Sequence, residues 1–269
     1  VSTNESIDGT VKWLLRLYDG SLIETVFIPE KERGTLCVSS QAGCSLDCTF
    51  CATGQHGFVR NLTSDEIISQ IWLVRNNIFS HTDDKKVSNI VFMGMGEPLM
   101  NYNNVLKAID KITSSDGLGM SPKRITVSTA GIAKMIKKLA DDEVKFNLAL
   151  SLHAADDEKR NQIMPINETN TLEALREALM YFYDKTRNKI TFEYILLRGV
   201  NDSPEQAREL ASLVRDVPAK FNLIPFNPWP GAPYKCSSPR AIKRFAQILN
   251  NAGYSAPIRV PRGRDIMAA

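Results

Sequence analysis

No apolar run in this chain approaches the roughly 20 residues that a membrane-crossing helix needs, so no spanning segment is expected. The polar start Val1-Ser2-Thr3-Asn4-Glu5-Ser6 has no signal-peptide pattern, and a cytoplasmic location is expected. Its first residue is Val rather than Met, which suggests a trimmed or partial chain. Five cysteines in 269 residues, three of them clustered, argue against a secreted disulfide framework. Charge of one sign is also lacking. With 33 basic and 30 acidic residues the net charge is +3, which tolerates a nucleic-acid partner without pointing to one. No linker, low-complexity tract or internal repeat stands out, and the balance of 43% hydrophobic and 23% charged residues is that of a globular domain.

What is present is concentrated in the run Gly43-Cys44-Ser45-Leu46-Asp47-Cys48-Thr49-Phe50-Cys51. The spacing C-x3-C-x2-C, with no fourth cysteine nearby, suits an iron–sulfur cluster held by thiolates. Three protein ligands on a four-iron cluster leave one iron open for a small molecule. A structural zinc site is the competing reading, but zinc wants four closed ligands, and the only histidine nearby is His56.

The rest of the chain alternates. Residues 11–18 and 22–28 are strand-like and joined by Asp19-Gly20, a hairpin signal. Short β-branched runs follow at 35–38, 89–92, 124–127, 146–150, 190–194 and 221–224. Helical patterns lie at 64–76, 102–113, 132–140, 172–183, 204–215 and 239–250. Six strand-then-helix units predict an α/β fold with a parallel sheet, a partial (β/α)6 barrel or a strongly curved open sheet, and an N-terminal β-hairpin extension. The expected division is residues 1–33 for the extension and 34–269 for the core. Function should gather at the C-terminal strand ends, which carry Gly94-Met95-Gly96-Glu97-Pro98, Ser128-Thr129-Ala130-Gly131, Ser151-Leu152-His153 and Pro225-Phe226-Asn227-Pro228.

These motifs together resemble the radical S-adenosylmethionine (SAM) superfamily. Within it, Gly34-Thr35-Leu36-Cys37-Val38-Ser39-Ser40-Gln41-Ala42-Gly43-Cys44, Gly57-Phe58-Val59-Arg60-Asn61-Leu62, Phe92-Met93-Gly94-Met95-Gly96-Glu97-Pro98, Leu150-Ser151-Leu152-His153-Ala154 and Gly263-Arg264-Asp265-Ile266-Met267-Ala268-Ala269 resemble the RlmN/Cfr family of RNA adenine methyltransferases. The match runs from about Glu24 to the last residue. Its wording is closer to the RlmN branch, which modifies carbon 2 of adenine, than to the carbon-8 Cfr branch.

The resemblance implies that Cys44, Cys48 and Cys51 hold a 4Fe–4S cluster and that SAM chelates its open iron. Gly96 and Glu97 meet the amino-acid end of SAM. Ser128, Ser151 and Asn227 hydrogen-bond its ribose and adenine, and Leu152 and His153 lie beside it in the Ser-Leu-His tip. No proton transfer is assigned to His153. The implied mechanism is ping-pong. A first SAM methylates a C-terminal cysteine, and a second provides the radical that activates that methyl group for addition to adenine. Glu24 matches the family's proton-accepting acid; read alone, it is an outward acid of a hairpin strand. Cys37 corresponds to the resolving thiol that forms a disulfide and releases the product; read alone, it is a buried strand cysteine.

Two departures from the family accompany the match. The methyl-carrying cysteine normally follows Met-Ala-Ala directly, whereas this chain stops at Ala269, and Cys236 is no substitute by motif. As given, the chain is expected to bind cluster and SAM yet fail to methylate. By the same resemblance, the given sequence is expected to lack the family's small N-terminal accessory domain before Val1. The expected substrates are large-subunit (23S) rRNA and tRNA, the electron donor a flavodoxin or ferredoxin, and the state monomeric. Arg240, Lys243 and Arg244, with Arg259, Arg262 and Arg264, are candidate phosphate contacts or solvated surface. The alternatives are a non-catalytic SAM- or RNA-binding homologue, a carbon-8 methyltransferase, another radical SAM enzyme such as a glycyl-radical activase, and a zinc-stabilised RNA-binding protein.

Overall fold

The computed structural model describes residues 2–31, 33–79 and 87–268. Val1 and Ala269, the outer limits of the two expected domains, lie outside the described residues. The chain divides into two compact units. The first comprises Val1–Ser45, Thr53–Ser128 and Arg262–Ala269, and the second Leu46–Ala52 and Thr129–Pro261.

In the first unit the strands β1 (Ser2–Glu5), β2 (Val11–Arg16), β3 (Leu22–Pro29) and β4 (Gly34–Cys37) form consecutive antiparallel neighbours. A short antiparallel pair, β5 (Gln41–Gly43) and β6 (Phe58–Asn61), stands apart from them. The helix α1 (Ser64–Phe79) follows, and then β7 (Asn89–Phe92), α2 (Tyr102–Thr113) and β8 (Ile125–Thr129). β4 pairs with β7, and β7 with β8, in parallel. Thr63 and Glu66 cap α1 reciprocally. The Thr63 hydroxyl accepts from Glu66 N at 3.2 Å, and the Glu66 carboxylate accepts from Thr63 N at 2.9 Å. Ile67, Ile71 and Val74 of α1 are fully buried, as are Phe27, Leu36 and Ile90 of the strands.

Strand alternation decides which residues of this unit share a face. Lys12 is opposite Val26, Val26 opposite Cys37, and Cys37 opposite Val91. Glu24, two residues from Val26, lies on the same face. Thr25 points the other way, and its hydroxyl donates to Gln70 of α1 at 2.7 Å. The helix thus covers the face opposite Glu24 and Cys37.

The second unit carries α3 (Ala133–Asp141), β9 (Asn147–Ser151), α4 (Asp157–Ile163), α5 (Leu172–Thr186), β10 (Ile190–Leu196), α6 (Pro204–Leu213), β11 (Ala219–Pro225) and α7 (Pro239–Asn251). β9, β10 and β11 are consecutive parallel neighbours. Residues beyond α7 continue this pattern, since Phe221 N donates to Ser255 O and Leu223 N to Pro257 O. The helix starts follow from local chemistry. Ser203 and Gln206 form a capping box with Pro204 at the first position of α6, and Ser238 caps α7 ahead of Pro239. Phe192, Tyr194 and Phe221 project to the helix side. Phe192 and Phe221 rings lie 5.4 Å apart, Tyr194 stacks on Phe245 of α7 at 5.0 Å, and Phe221 meets Tyr254 edge-on at 5.3 Å.

The expected helices and strands are all present, with ends shifted by a few residues. The additions are β1, the β5–β6 pair and α4. β1 reads Ser-Thr-Asn-Glu and is exposed along its length, so no hydrophobic alternation marks it. Its order comes from backbone pairing to β2 alone.

Phe221 is fully buried between two aromatic rings. Phe221→Ala should therefore cost about 3–5 kcal/mol, measured as a lowered midpoint in urea unfolding.

Candidate active site

In the first unit the approach to Cys44 requires glycine. Gly43 has φ +74, and a Cβ there would lie 1.8 Å from Gly57 O. The adjacent Cys44 N donates to that same oxygen at 2.9 Å. The β5–β6 pairing is irregular at Ala42 and Gly43, so the strand bends where the cysteine motif begins.

The Gly-Glu-Pro tip after β7 is held at Glu97 by the Gln41 side chain. Gln41 Oε1 accepts from Glu97 N at 2.8 Å, and Gln41 Nε2 donates to Asn61 Oδ1 at 2.7 Å. Gly96 has φ +91, and a Cβ there would sit 2.3 Å from Gln41 Cβ. Only glycine lets the backbone pass Gln41 at this distance. Glu97 is buried, and its carboxylate accepts from Leu99 N at 2.9 Å at the start of a 3₁₀ turn, Pro98–Asn101.

Glu24 and Cys37 share a sheet face, as the register requires. Glu24 Oε1 is 3.0 Å from Lys12 Nζ, and its side chain is 41% exposed, which leaves it reachable. The Ser39 hydroxyl donates to Glu24 O at 2.6 Å and accepts from Met95 N at 2.9 Å, joining the strand of Glu24 to the Gly-Glu-Pro tip. Ser128 is half-buried near the end of β8.

In the second unit the loop bearing Cys48 and Cys51 is stitched to the helices and to the segment after β11. Thr49 N donates to Ile163 O at 3.0 Å, Trp229 Nε1 donates to Phe50 O at 3.1 Å, and the Thr49 and Tyr234 hydroxyls meet at 2.7 Å. Cys51 N donates to Cys48 O at 2.9 Å, so the two cysteines flank a tight turn.

Arg160 of α4 is fully buried and organises the strand tips of this unit. Its guanidinium donates to Leu152 O at 2.9 Å, Ser151 O at 2.9 Å, Ala130 O at 2.6 Å and Asn167 Oδ1 at 2.7 Å. Burial pushes its pKa down to about 10, against the pull of the Cys48 thiol and the Asp157 carboxylate. It stays cationic at neutral pH.

Ser151 closes β9, and Leu152 N donates to Glu193 O at 3.0 Å. His153 follows in left-handed backbone at φ +60, with Ala154 N donating to Leu152 O at 2.8 Å, a three-residue γ-turn. Its ring Nδ1 accepts from Ile195 N at 3.1 Å, and its carbonyl accepts from Asn201 Nδ2 at 2.7 Å. Burial, with the nearby Arg160 cation, pushes the His153 pKa down to about 3. The ring is neutral and acts as a backbone clamp. Asn201 also bridges Ile195 O and Leu197 N, each at 2.7 Å. Asn227 is half-buried just beyond β11.

The donor set fits a thiolate-held cluster. Cys44, Cys48 and Cys51 are all half-buried, and no disulfide joins any two cysteines among the described residues. The buried Arg160 lies within electrostatic reach of the Cys48 sulfur. Soft sulfur ligands suit iron–sulfur chemistry. Among the described residues no three His, Cys, Asp or Glu side chains converge as they would around an ion, so the ligand set rests on spacing and donor chemistry. Cys236 instead sits in an isolated bridge opposite Leu197.

Sequence reasoning missed Arg160, Asn201, Gln41, Ser39 and Lys12. Arg160 lies in the charged run Asp156-Asp157-Glu158-Lys159-Arg160, which reads as solvated surface. Only Asn201 carried a signal, in the turn-forming Gly-Val-Asn-Asp, and that signal indicates a turn and not a clamp.

Comparison with known proteins agrees with this chemistry. Residues 38–211 match the family model described as the Radical SAM superfamily. The dual-specificity RNA methyltransferase RlmN of Parvibaculum lavamentivorans is 50% identical, over 100% of this chain and 70% of its own length. The probable RlmN of Flavobacterium psychrophilum is 54% identical, over 98% of this chain and 76% of its own. A solved radical SAM methyltransferase from Sphaerobacter thermophilus superposes with a TM-score of 0.95 at 41% identity, covering 100% of this chain and 79% of that one. The α/β fold class read from the sequence is thereby borne out. Motif order, fold and cysteine chemistry converge: the chain belongs to the RlmN family of dual-specificity RNA methyltransferases, within the radical SAM superfamily.

Proposed function

We propose that this chain is the catalytic part of a radical SAM methyltransferase that places a methyl group on carbon 2 of an adenine in 23S rRNA and in tRNA, by way of a methyl-carrying cysteine expected just after Ala269. Its cofactors are a 4Fe–4S cluster and SAM. When bound, they supply one-electron chemistry able to open an unreactive C–H bond.

The chain's own residues bind and orient. Cys44, Cys48 and Cys51 hold the cluster. Gly96 offers close backbone approach to the amino-acid end of SAM, and Glu97 offers a carboxylate for its ammonium. Ser128, Ser151 and Asn227 hydrogen-bond the adenosyl part. Leu152 and His153 contribute the backbone of their γ-turn, whose shape the neutral His153 ring maintains. Glu24 accepts the proton leaving the adenine carbon that gains the methyl group. The Cys37 thiolate attacks the sulfur that carries the methylene-bridged RNA. An S–S bond forms, the S–C bond breaks, its electron pair stays on the methylene carbon, and that carbon takes up a proton from solvent to become the methyl group of the released base.

The single observation that carries this assignment is the common face of Glu24 and Cys37. The pairing of Val26 with Cys37 puts an acid and a thiol on the same face, diagonal to one another and away from α1. A solvated hairpin acid has no need of a neighbouring thiol.

RNA binding is supported by a groove of about 970 Å³ lined by Arg240, Lys243 and Arg244 of α7, with Asp202 and Pro204 beside α6. Three basic side chains against one acid, Asp202, leave the groove net cationic. A cytoplasmic monomer reduced by a flavodoxin or ferredoxin fits the same reading. Among the described residues no helix is long and apolar enough to cross a membrane.

Three variants test the assignment in the full-length, cluster-loaded protein. Glu24→Gln should lower adenine methylation by about 100-fold or more with SAM binding retained, read by mass spectrometry of RNA digests and by equilibrium dialysis. Cys37→Ala should leave RNA covalently attached to protein, seen as a shifted band on denaturing gels. Normal turnover in both variants would overturn the reading. Charge reversal at Arg240, Lys243 and Arg244 should weaken RNA binding and flatten its dependence on log salt by about 0.9 for each phosphate that is no longer neutralised, measured by filter binding across a salt series.

A further inference from the structure

The end of the chain is bound to its beginning by four polar contacts. Ser6 Oγ donates to Asp265 Oδ1 at 2.5 Å, and Ile7 N donates to Asp265 Oδ2 at 3.2 Å. Gly263 N donates to Asp8 Oδ2 at 2.9 Å. Lys12 Nζ donates to Met267 O at 3.2 Å. Residues 263–268 form a compact turn closed by Ala268 N donating to Gly263 O at 2.9 Å. Gly263 has φ +63, and a Cβ there would lie 2.7 Å from Ala268 Cβ and 3.0 Å from Thr10 Cγ2. The turn therefore packs against the hairpin with no room for a side chain at its first residue.

Lys12 stands apart from the other three anchors because it makes two contacts of different kinds. Its side chain is only 9% exposed, and its ammonium reaches both Glu24 Oε1 at 3.0 Å and Met267 O at 3.2 Å. A buried ammonium must be paired and hydrogen-bonded to be tolerated. Here the two groups that satisfy it are the proposed proton acceptor and the backbone of the C-terminal turn. The register puts Lys12 in the same row as Cys37, one strand removed.

We propose that Lys12 is a positioning residue that clamps the 263–268 turn onto the sheet face bearing Glu24 and Cys37. The clamp holds that turn in place, and it aims the Glu24 carboxylate while leaving its outer side open. The catalytic consequence rests on the assignment of Glu24 as proton acceptor; the mechanical part, tail docking, does not. The N-terminal hairpin is thus a dock for the C-terminal turn, with Ser6 and Asp8 holding its start and Lys12 its end.

The test uses the full-length holoenzyme and two readouts. Hydrogen exchange reports the amides of Ile266, Met267 and Ala268, all of which donate within the turn. Steady-state methylation gives kcat and KM for RNA. Lys12→Met should speed exchange of these three amides about tenfold, as expected when a charge-assisted hydrogen bond is removed. It should lower kcat by about tenfold or more with KM unchanged, because a misaimed base affects the chemical step and not RNA capture. Exchange in β2 and β3 should stay as in the parent protein, and Lys12→Arg should recover both readouts. Parent-like exchange of the turn in a folded Lys12→Met overturns the clamp. Should Lys12→Met fail to fold, Asp265→Ala decides. It frees the turn from Ser6 and Ile7 while sparing the Lys12–Glu24 pair, and faster turn exchange with lower kcat supports the dock, whereas no change in either removes it. Glu24→Gln separates the two ideas. Retained methylation in that variant overturns the base assignment and with it the catalytic consequence, while the exchange result judges the dock by itself.

Discussion

A buried guanidinium is the constraint on which the ligand-facing loops of the second unit depend. The tips of parallel strands end in carbonyl groups that no helix or ladder satisfies, and burying such groups unpaired is costly. Arg160 answers three of them at once, at Ala130, Ser151 and Leu152, and anchors itself to Asn167. Asn167 in turn reaches Asp157, whose carboxylate accepts from Leu172 N at the start of α5. One planar cation therefore sets the relative positions of two strand tips and two helices. Arginine suits the task because its fork offers five fixed donors and keeps its charge even when desolvated.

The first unit meets the same requirement with neutral groups. Gln70 of α1 accepts from Thr25 and from Ser39 N and donates to Ser39 O, while Gln41 secures the backbone of Glu97. The Ser39 hydroxyl then couples Glu24 O to Met95 N. These amide side chains bind both a donor and an acceptor, so a single residue can register a strand against a loop. For the proton-accepting role proposed for Glu24, the consequence is that its backbone is held while its side chain, paired to Lys12, stays 41% exposed. A reactive carboxylate needs both conditions: a fixed position and room for a substrate.

His153 shows how a conspicuous residue can have a structural role. A histidine in a strand-tip motif invites a proton-transfer assignment, yet its Nδ1 is occupied by Ile195 N and burial keeps the ring neutral. Its left-handed backbone is held in place by Asn201 and by the Phe50 ring edge-on at 4.8 Å. The γ-turn it stabilises presents main-chain groups, which in the proposed function meet the adenosyl part of SAM. Lys12 is the converse case. As the second residue of β2 it reads as an exposed strand lysine, but it is buried between Glu24 and Met267, the contacts on which the proposed clamp rests.

By itself the sequence determined the alternation of strands and helices, the cysteine spacing and the glycine-rich tips. Each depends on local chemistry: apolar periodicity, Ser-Pro helix starts at 203–204 and 238–239, and Gly96 where a backbone must turn. Family membership was legible for the same reason, since its motifs are contiguous. The tertiary structure alone decided which distant groups became partners. Nothing in the run at 156–160 marks Arg160 as buried, because its four acceptors are up to 30 residues away in the chain. Nothing near Lys12 announces Met267, 255 residues on. Long-range pairing of polar groups follows from burial, and burial is a property of the packed chain that no window of sequence contains.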